Sequence, residues 1–412
     1  MVKPWDTATI GDFLDFKNGL NKGKEFFGYG TPIVNYTDVY RKRGLTKSDV
    51  RGKVNLTRDE IHRFDARKND VFFTRTSETP EEVGISSVLL DDIDDCVFSG
   101  FVLRGRPKND MFVPEYCKYC FTTEAIRSAI IMGCTYTTRA LTNGTQLSAI
   151  EIVVPPKPEQ EAIAKSLTEI DDLISSLEKL ITKKKAIKQG AMQELLTGKR
   201  RLPGFSGEWE TKKLEDYCSL ITKQTGFDYS AYIKPALITR EMPNTFPMIQ
   251  TINFRGRKFT LETDYYIPKS VAIQFPNILL NKKCVLFSIV GASVGNLGLY
   301  PGSITAFCGG AIGITRFRNE QDAEWVYNYM SGPDGQSQIQ YVTKGGAQAT
   351  VTIADIRNFK IPTPEKDERD AISGILENMD HEIEVLEQKL EKYREVKQGM
   401  MQQLLTGKIR LV

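Results

Sequence analysis

The chain has 412 residues, of which 41% are hydrophobic and 26% charged, and its formal net charge is +3. This length exceeds what one hydrophobic core usually supports, so we expect two or more domains. No apolar run approaches the roughly 18 residues of a membrane span, and the N-terminus lacks a signal-peptide pattern, so we expect a cytoplasmic protein.

The first block, residues 1–157, alternates short β-like runs with turns. The runs DVFFTRT, GISSVLL and CVFSGFVLRG predict strands, and the segment PEYCKYCFTTEAIRSAI after them has the spacing of an amphipathic helix. Together these elements predict an α/β (α+β) globular domain with a largely β core.

Cys117 and Cys120 form a CxxC motif inside that predicted helix. A zinc site would need two more ligands nearby, yet there is no second CxxC, and the two histidines, His62 and His381, are distant in the sequence. We therefore favour thiols packed on the helix over a zinc or redox site. The seven cysteines are scattered and odd in number, which fits reduced thiols.

Several loops of this block are basic, with aromatic or amide residues between the charges. Arg and Lys suit phosphate oxygens and guanine edges, whereas Asn and Gln suit adenine edges. Any single residue of this kind is more often a solvated surface charge, and only the clustering favours DNA. The candidate DNA-binding residues of the first block are Lys22, Lys24, Tyr36, Arg41, Lys42, Arg43, Arg75, Thr76 and Arg139.

Residues 158–202 form the first helical segment, which carries the clearest periodicity in the sequence. Apolar residues recur with spacings of four and three, as on the seam of a coiled coil, and this seam requires a partner helix. The seam residues, which we predict to form the coiled-coil and partner interface, are Ile163, Leu167, Ile170, Ile174, Leu177 and Ile181. Pro158 and Gly198 mark the two ends of a helix of about 40 residues.

The second block, residues 203–364, has the same rhythm with a different sequence. Its predicted strands are CVLFSIVG, LGLYPG, SITAFCGG and AIGITRFR, and the helix-like DAEWVYNYMS follows them. Its basic and amide residues also cluster in loops. The candidate DNA-binding residues of this block are Lys223, Gln224, Arg255, Arg257, Lys258, Lys344 and Gln348.

The second helical segment, residues 365–412, repeats the first. KQGMMQQLLTGKIRL follows KQGAMQELLTGKRRL at a distance of 209 residues, and WETKKLEDY in the second block resembles WDTATIGDF in the first. The chain is therefore a tandem duplication, and the obvious partner of each seam is the other. The second seam consists of Ile372, Leu376, Met379, Ile383, Leu386 and Leu390.

Antiparallel pairing of the seams would hold the two blocks apart in a pseudo-two-fold arrangement. The alternative, two ordinary long helices buried in separate cores, is disfavoured by the strict seam spacing and the charged remaining positions. Motifs for catalysis are missing: we find no GxxxxGK[ST] loop and no HExxH, and the glycine-rich runs GASVGNLG and FCGGAIG are more typical of β turns. We therefore predict a chain without catalytic or metal-ligating residues.

The plan of block, helix, block, helix resembles the specificity (S) subunit of type I restriction-modification enzymes. The resemblance rests on the PPKPEQEAIA and PTPEKDERDAI helix starts and the QxLLTGK ends, within Ile152–Leu202 and Ile361–Leu411. The second copy departs from the first in having Arg369 where Gln160 stands.

This resemblance implies two target recognition domains, each reading half of a bipartite duplex DNA site, with the helices setting the spacer. It also implies modification subunits that bind the helices and supply S-adenosylmethionine, and restriction subunits that use ATP and Mg²⁺, so that no cofactor belongs to this chain. Two alternatives stay open at this point: a methyltransferase or nuclease with an unrecognised site, and a coiled-coil scaffold that joins two protein-binding heads.

Overall fold

The computed structural model describes residues 4–343 and 349–411, and the chain divides into two units. The first unit comprises Met1–Glu178 and Gln388–Val412, and the second comprises Lys179–Glu387. The first unit therefore contains the first block, the beginning of the first long helix and the end of the second long helix. The second unit contains the second block, the end of the first long helix and the beginning of the second long helix. The linear domain limits predicted at residues 157, 202 and 364 stay predictions.

The first block is built from small, mainly antiparallel sheets. Its strands are β1 (Asp6–Thr9), β2 (Leu14–Asn18), β3 (Phe27–Val34), β4 (Gly44–Leu45), β5 (Gly52–Val54), β6 (Val71–Thr74), β7 (Thr76–Ser77), β8 (Ser86–Leu89), β9 (Val97–Phe98), β10 (Val102–Pro107), β11 (Thr135–Tyr136), β12 (Ala140–Leu141) and β13 (Glu151–Val154). Its helices are α1 (Ile10–Phe13), α2 (Tyr36–Arg41), α3 (Arg58–Arg63), α4 (Pro114–Cys117), α5 (Glu124–Gly133), α6 (Gly144–Ser148) and the long α7 (Lys157–Leu195).

Four sheets organise these strands. The largest has the order β2-β10-β6-β8-β4, and it is accompanied by the sheets β5-β3-β9 and β11-β12-β7 and by the pair β1-β13. All three strand-forming runs predicted from the sequence are confirmed. The predicted helix over PEYCKYCFTTEAIRSAI is instead broken into α4 and α5, because Thr123 caps a new helix with its hydroxyl, which accepts from the Ile126 N–H at 3.4 Å.

The second block repeats this plan. Its strands are β14 (Glu210–Lys213), β15 (Cys218–Lys223), β16 (Thr245–Ile249), β17 (Phe254–Arg255), β18 (Lys258–Phe259), β19 (Tyr266–Pro268), β20 (Leu279–Leu280), β21 (Cys284–Ser288), β22 (Leu297–Tyr300), β23 (Ala306–Cys308), β24 (Ile312–Phe317) and β25 (Lys360–Thr363). Its helices are α8 (Leu214–Tyr217), α9 (Gly226–Asp228), α10 (Lys269–Ala272), α11 (Asp322–Ser331), α12 (Pro333–Val342), α13 (Ile353–Asn358) and the long α14 (Lys366–Leu404).

The sheet order β15-β24-β21-β22 matches β2-β10-β6-β8 of the first block, and the pair β14-β25 matches β1-β13. In both blocks the last strand pairs with the first and leads directly into a long helix. The tandem duplication and the mixed α/β architecture with two long helices are thus confirmed.

Each long helix contributes its first turns to the core of its own block. Ile163 and Leu167 of α7 pack in the first core with Leu404 and Leu405 at the end of α14. Ile372 and Leu376 of α14 pack in the second core with Leu195 and Leu196. Burial of these side chains, rather than helix propensity, fixes the helices to the blocks.

The departure noted between the helix starts, Gln160 against Arg369, replaces one contact with another of different chemistry. The buried Gln160 amide accepts from the Val113 N–H and donates to the Met111 carbonyl, both at 2.9 Å. Arg369 instead forms an ion pair of 2.7 Å with Asp322 at the start of α11. Both side chains therefore fix the segment that follows the central sheet of their block.

Candidate nucleic-acid interface

Three candidates of the first block lie at one corner of that block. Arg75 immediately precedes β7, whose Thr76 is opposite Leu141 of β12, and Arg139 lies in the exposed turn before β12. The Arg75 backbone N–H donates to the Phe101 carbonyl at 3.0 Å. Thr76, Arg75 and Arg139 are thus brought together by the small sheet β11-β12-β7.

A stacked tyrosine pair is linked to the same corner. The rings of Tyr36 and Tyr40 on α2 are 5.8 Å apart and nearly parallel. Glu82 accepts hydrogen bonds from the Ser77 hydroxyl at 2.6 Å and from the Tyr40 hydroxyl at 2.9 Å. These two bonds lower the pKa of Glu82, so it stays ionised as their common acceptor.

Exposed aromatic side chains at this corner were missed by the sequence reasoning. Phe101 and Tyr136 are 56% and 58% exposed, although large aromatic residues usually lie inside a domain. Phe101 follows Gly100, whose carbonyl accepts from the Arg75 guanidinium at 3.4 Å. Aromatic faces beside cationic side chains suit contact with nucleic acid.

The remaining basic candidates of the first block differ in their partners. Lys22 is ion-paired with Glu60, and Lys42 with Asp49. Lys24, Arg41 and Arg139 are exposed, and none of them forms a salt bridge within residues 4–343 and 349–411.

Arg43 points to the helical part of the first unit. Its guanidinium donates to the Met401 sulfur on α14 at 3.2 Å and lies 5.8 Å from the ring of Tyr119. Its contacts therefore join the first block to α14.

In the second block, the exposed Lys223 and the buried Gln224 follow one another at the end of β15. Gln224 is 4% exposed and lines a cavity of about 630 Å³. Lys223 lines the same cavity and forms no salt bridge with any described residue.

The three basic candidates of the β17-β18 hairpin differ in their contacts. Arg255 is exposed, whereas the Arg257 guanidinium forms ion pairs of 2.6 Å with Glu324 and 2.7 Å with Asp380 of α14. Lys258 pairs with Glu387 of α14 at 2.6 Å. Arg257 and Lys258 thus fasten the hairpin to α14 within the second unit. Their role in DNA binding stays a prediction, as for every candidate above, and Lys344 and Gln348 lie outside the described residues.

The two long helices run antiparallel within each unit, but the expectation that one seam pairs with the other is wrong, because each seam lies opposite the C-terminal part of the other long helix. All twelve seam residues are buried or half-buried, and Ile163, Leu167, Ile372 and Leu376 are fully inaccessible. Ion pairs flank the seams in antiparallel order: in the first unit Asp171 pairs with Lys397, and Glu178 with Arg394 at 2.7 Å. In the second unit Lys184 pairs with Glu382 at 2.6 Å, and Lys188 with Asp380.

A Trp–Glu–Arg cluster closes the first unit. The Glu159 carboxylate at the start of α7 accepts from Arg410 Nε at 2.6 Å and Nη2 at 2.7 Å, and from the Trp5 indole at 2.9 Å. Arg410 also lies over the Trp5 ring, 4.9 Å from its centroid. Chiefly because Arg410 donates to it, the pKa of Glu159 is lowered.

A second Trp–Glu–Arg cluster closes the second unit in the same way. Glu368 accepts from Arg201 Nε and Nη2, both at 2.7 Å, and from the Trp209 indole at 3.0 Å. Burial raises the pKa of Glu368, but Arg201 and Trp209 outweigh it and the net shift is downward.

The chain turns into these clusters at Gly198, the predicted end of the first helix, and at Gly407, its equivalent in the repeat. Gly198 and Gly407 both have φ of +70°, which glycine adopts at helix ends without steric cost. All six cluster residues recur at matching positions of the repeat, so the sequence carried a signal for the clusters that was not used.

The thiols of the CxxC motif are packed, as favoured from the sequence. Cys117 and Cys120 are both buried in the first core, and burial raises the pKa of Cys120 well above its ordinary value. Among the described residues, no cluster of three or more His, Cys, Asp and Glu side chains is arranged to hold a metal ion. A search of the same residues finds no helix with the length and apolar character of a membrane span.

Comparison with known proteins identifies relatives over the whole chain. The profile of the type I restriction modification DNA specificity domain matches residues 2–189 and again 206–393. The type I restriction enzyme MjaVIII specificity subunit of Methanocaldococcus jannaschii is 25% identical, covering 99% of this chain and 93% of the relative.

Two solved structures share the fold over nearly the full length. The crystal structure of the S subunit of a type I restriction-modification system from M. genitalium has a TM-score of 0.60 at 14% identity, covering 97% of this chain and 96% of that one. A chain from a study of complex assembly and conformational transition in a type I system has a TM-score of 0.56 at 15% identity, covering 99% of both chains.

Proposed function

The chain belongs to the type I restriction-modification DNA specificity family, and on that premise we propose that each of its blocks reads one half of a bipartite duplex DNA site. The family match, found once in each half of the chain, makes DNA sequence recognition its function. The division of labour between the blocks is supported by one observation: the same strand order recurs in both blocks, while their exposed loop residues differ.

Exposed basic residues supply the attraction to the phosphate backbone in this proposal. Lys24, Arg41 and Arg139 in the first block and Lys223 and Arg255 in the second are accessible, so their charges are available to displace counterions. The exposed Phe101 and Tyr136 add apolar contact area at the same corner of the first block.

The long helices dock the modification subunits and set the spacer between the half-sites. Support comes from a second apolar stripe on α7, at a spacing of seven residues and off the buried seam. Its members Leu173, Leu180 and Ile187 are 36%, 38% and 49% exposed. A stripe of this spacing suits the packing of a further helix.

The chain performs no chemistry itself under this proposal. S-adenosylmethionine would be bound by modification subunits, and ATP and Mg²⁺ by restriction subunits, so the assembly would act on DNA in the cytoplasm. Incubating the purified chain with labelled S-adenosylmethionine and duplex DNA should transfer no methyl group. Transfer by a preparation free of other subunits would overturn this part of the proposal.

A methylation map tests the recognition role. The chain is assembled with its modification subunits, and the methylated sites are sequenced for the wild type and for a variant whose residues 1–157 come from another family member. We expect a bipartite site in which only one half changes. A site that is not bipartite, or one in which both halves change, would contradict the division of labour.

A further inference from the structure

The cavity at the end of β15 is lined by a buried amide with an unused acceptor. Gln224 is 4% exposed, and its Nε2 donates to the Cys308 carbonyl at 3.5 Å. Its Oε1 has no hydrogen-bond partner among the described residues and faces Gly310, where an added Cβ would lie 3.1 Å from it. A buried acceptor without a donor is destabilising, and a ligand with an N–H group would satisfy it.

The equivalent position of the first block carries no side chain. The strand register pairs Asn18 with Leu103 and Lys223 with Gly313, so Gly19 is the counterpart of Gln224. A side chain at Gly19 is impossible, because its Cβ would lie 2.1 Å from the Ser99 carbonyl oxygen.

The backbone hydrogen bonds agree with this correspondence. Phe98 and Cys308 end equivalent parallel strand pairs, β3-β9 and β16-β23. The Phe98 carbonyl accepts from the Leu20 backbone N–H at 3.0 Å, whereas the Cys308 carbonyl accepts from the Gln224 side chain. The equivalent carbonyl is therefore bound by the main chain in the first block and by a glutamine amide in the second.

The lining of the cavity suits one edge of a nucleobase. At about 630 Å³ the cavity exceeds the needs of a single base, and Tyr229 and Thr251 line it together with Gln224. Lys223 is exposed on the same lining, where its ammonium group can meet a phosphate. A glutamine amide matches adenine, since its oxygen accepts from the 6-amino group while its N–H donates to N7.

We propose that this cavity is the adenine-reading site of the second block and that Gln224 sets the base preference at one position of its half-site. The proposal rests on the proposed function. The Cys308 carbonyl holds the amide nitrogen in place and leaves Oε1 as an acceptor, so the site requires a base with an amino group at its edge. Thymine and guanine offer only acceptors in the major groove and are excluded there.

The test is a methylation map of Gln224→Leu and Gln224→Glu, each assembled with modification subunits, with Gln321→Glu as the matched control on the exposed surface of the same block. Gln224→Leu should lower the preference for adenine at one position roughly 5- to 150-fold, the range of one bidentate contact. Gln224→Glu should shift that position towards cytosine, because a carboxylate accepts from its 4-amino group but donates to nothing. The other half-site, read by the first block, should be unchanged, which shows that the variants fold and assemble.

A wild-type map with a bipartite site and identical maps for both Gln224 variants would overturn the proposal and leave the recognition role standing. A wild-type map without a bipartite site would instead reject the recognition role itself.

Permanganate oxidation of the thymine opposite the mapped adenine shows whether that adenine is read within the duplex or outside it. Reactivity that appears on binding means an adenine drawn out of the stack, and unchanged reactivity means an adenine read within the duplex, both of which agree with Gln224 as the reader.

Discussion

Arg410 and Glu159 are 251 residues apart in the chain and are joined by a bidentate ion pair of 2.6 and 2.7 Å in the structure. The equivalent pair, Arg201 with Glu368, has the same geometry. In each unit the start of one long helix is thus held by the arginine that follows the other long helix. The two copies of the repeat complete each other rather than folding as separate halves.

Loss of the ion pair between Arg201 and Glu368 should destabilise the second unit. Arg201→Ala leaves the buried Glu368 carboxylate without its cation, and we expect the melting temperature to fall by roughly 5–10 °C. The matched control is the neighbouring Arg200→Ala, whose ion pair with Glu194 is 3.6 Å long and exposed. Differential scanning calorimetry checks both variants, and equal melting temperatures for the two would argue against the cluster as a closure.

The same carboxylates predict a dependence on acid pH. The pKa values of Glu159 and Glu368 lie below the ordinary 4.5 in the folded chain. A group with a lowered pKa contributes stability above its unfolded pKa and loses it as the pH falls through the folded pKa. Stability should therefore decrease below about pH 4.5, and Glu159→Gln together with Glu368→Gln should flatten this decrease in urea titrations. An unchanged acid slope in the double variant would contradict the assignment.

The seam and the outer stripe of α7 should respond differently to charge. Leu177 is 6% exposed, so Leu177→Asp should cost about 3 kcal/mol or more. Leu386→Asp on α14 should act in the same direction. Leu180→Asp, at a position 38% exposed, should leave unfolding nearly unchanged but reduce co-purification with modification subunits. Equal thermal stability of Leu177→Asp and Leu180→Asp would reject the seam.

Substitutions of the two arginines of the β17-β18 hairpin should have different effects, one on DNA binding and the other on stability. Arg255→Ala should weaken binding to random duplex DNA and reduce the slope of log affinity against log salt by about one. Arg257→Ala should mainly lower stability, because Glu324 and Asp380 each lose one of their two cationic partners and keep only Lys283 and Lys188. Fluorescence anisotropy over a salt series measures the first effect and calorimetry the second. An Arg255→Ala variant with an unchanged salt slope would remove Arg255 from the interface.

The length of the helices should determine the spacer and not the bases that are read. One heptad inserted into each helix adds about 10 Å, which corresponds to roughly three base pairs, and also rotates one block around the duplex. We expect a methylation map with the same half-sites and a changed gap. Altered half-sites with an intact gap would contradict the helices as the ruler.

The positions of the seam could be predicted because their spacing is local, whereas the part of the other helix that each seam faces depends on the register of the two helices, which a heptad pattern does not specify. Residues such as Leu167 and Leu177 recur at heptad spacing, and the duplication repeats the pattern with Leu376 and Leu386. The runs that predicted strands were equally visible, since each is short, apolar and bounded by turns, whereas other strands such as β3 and β16 were not predicted. The break of the predicted helix at Thr123 was missed because a cap inside an apolar stretch has only a weak pattern.

Partners of charged residues could not be predicted from their neighbourhood in the sequence. Arg257 and Arg255 look alike in the run FRGRKF, yet only Arg257 meets Asp380, more than a hundred residues away. Gln224 was assigned to DNA by its residue type, whereas its burial depends on the spacing between two strands that β-propensity does not specify. The Trp–Glu–Arg clusters were predictable in principle, because the duplication preserves all six residues.

The two units are completed at different times during synthesis. The second unit is a single uninterrupted stretch, Lys179–Glu387, whereas the first waits for Gln388–Val412. A ribosome that moves from the N-terminus to the C-terminus therefore releases everything the second unit needs before the first can close around Arg410. A stop codon just before Arg410 would accordingly leave the first unit without the partner of Glu159, while the second unit would keep all of its residues.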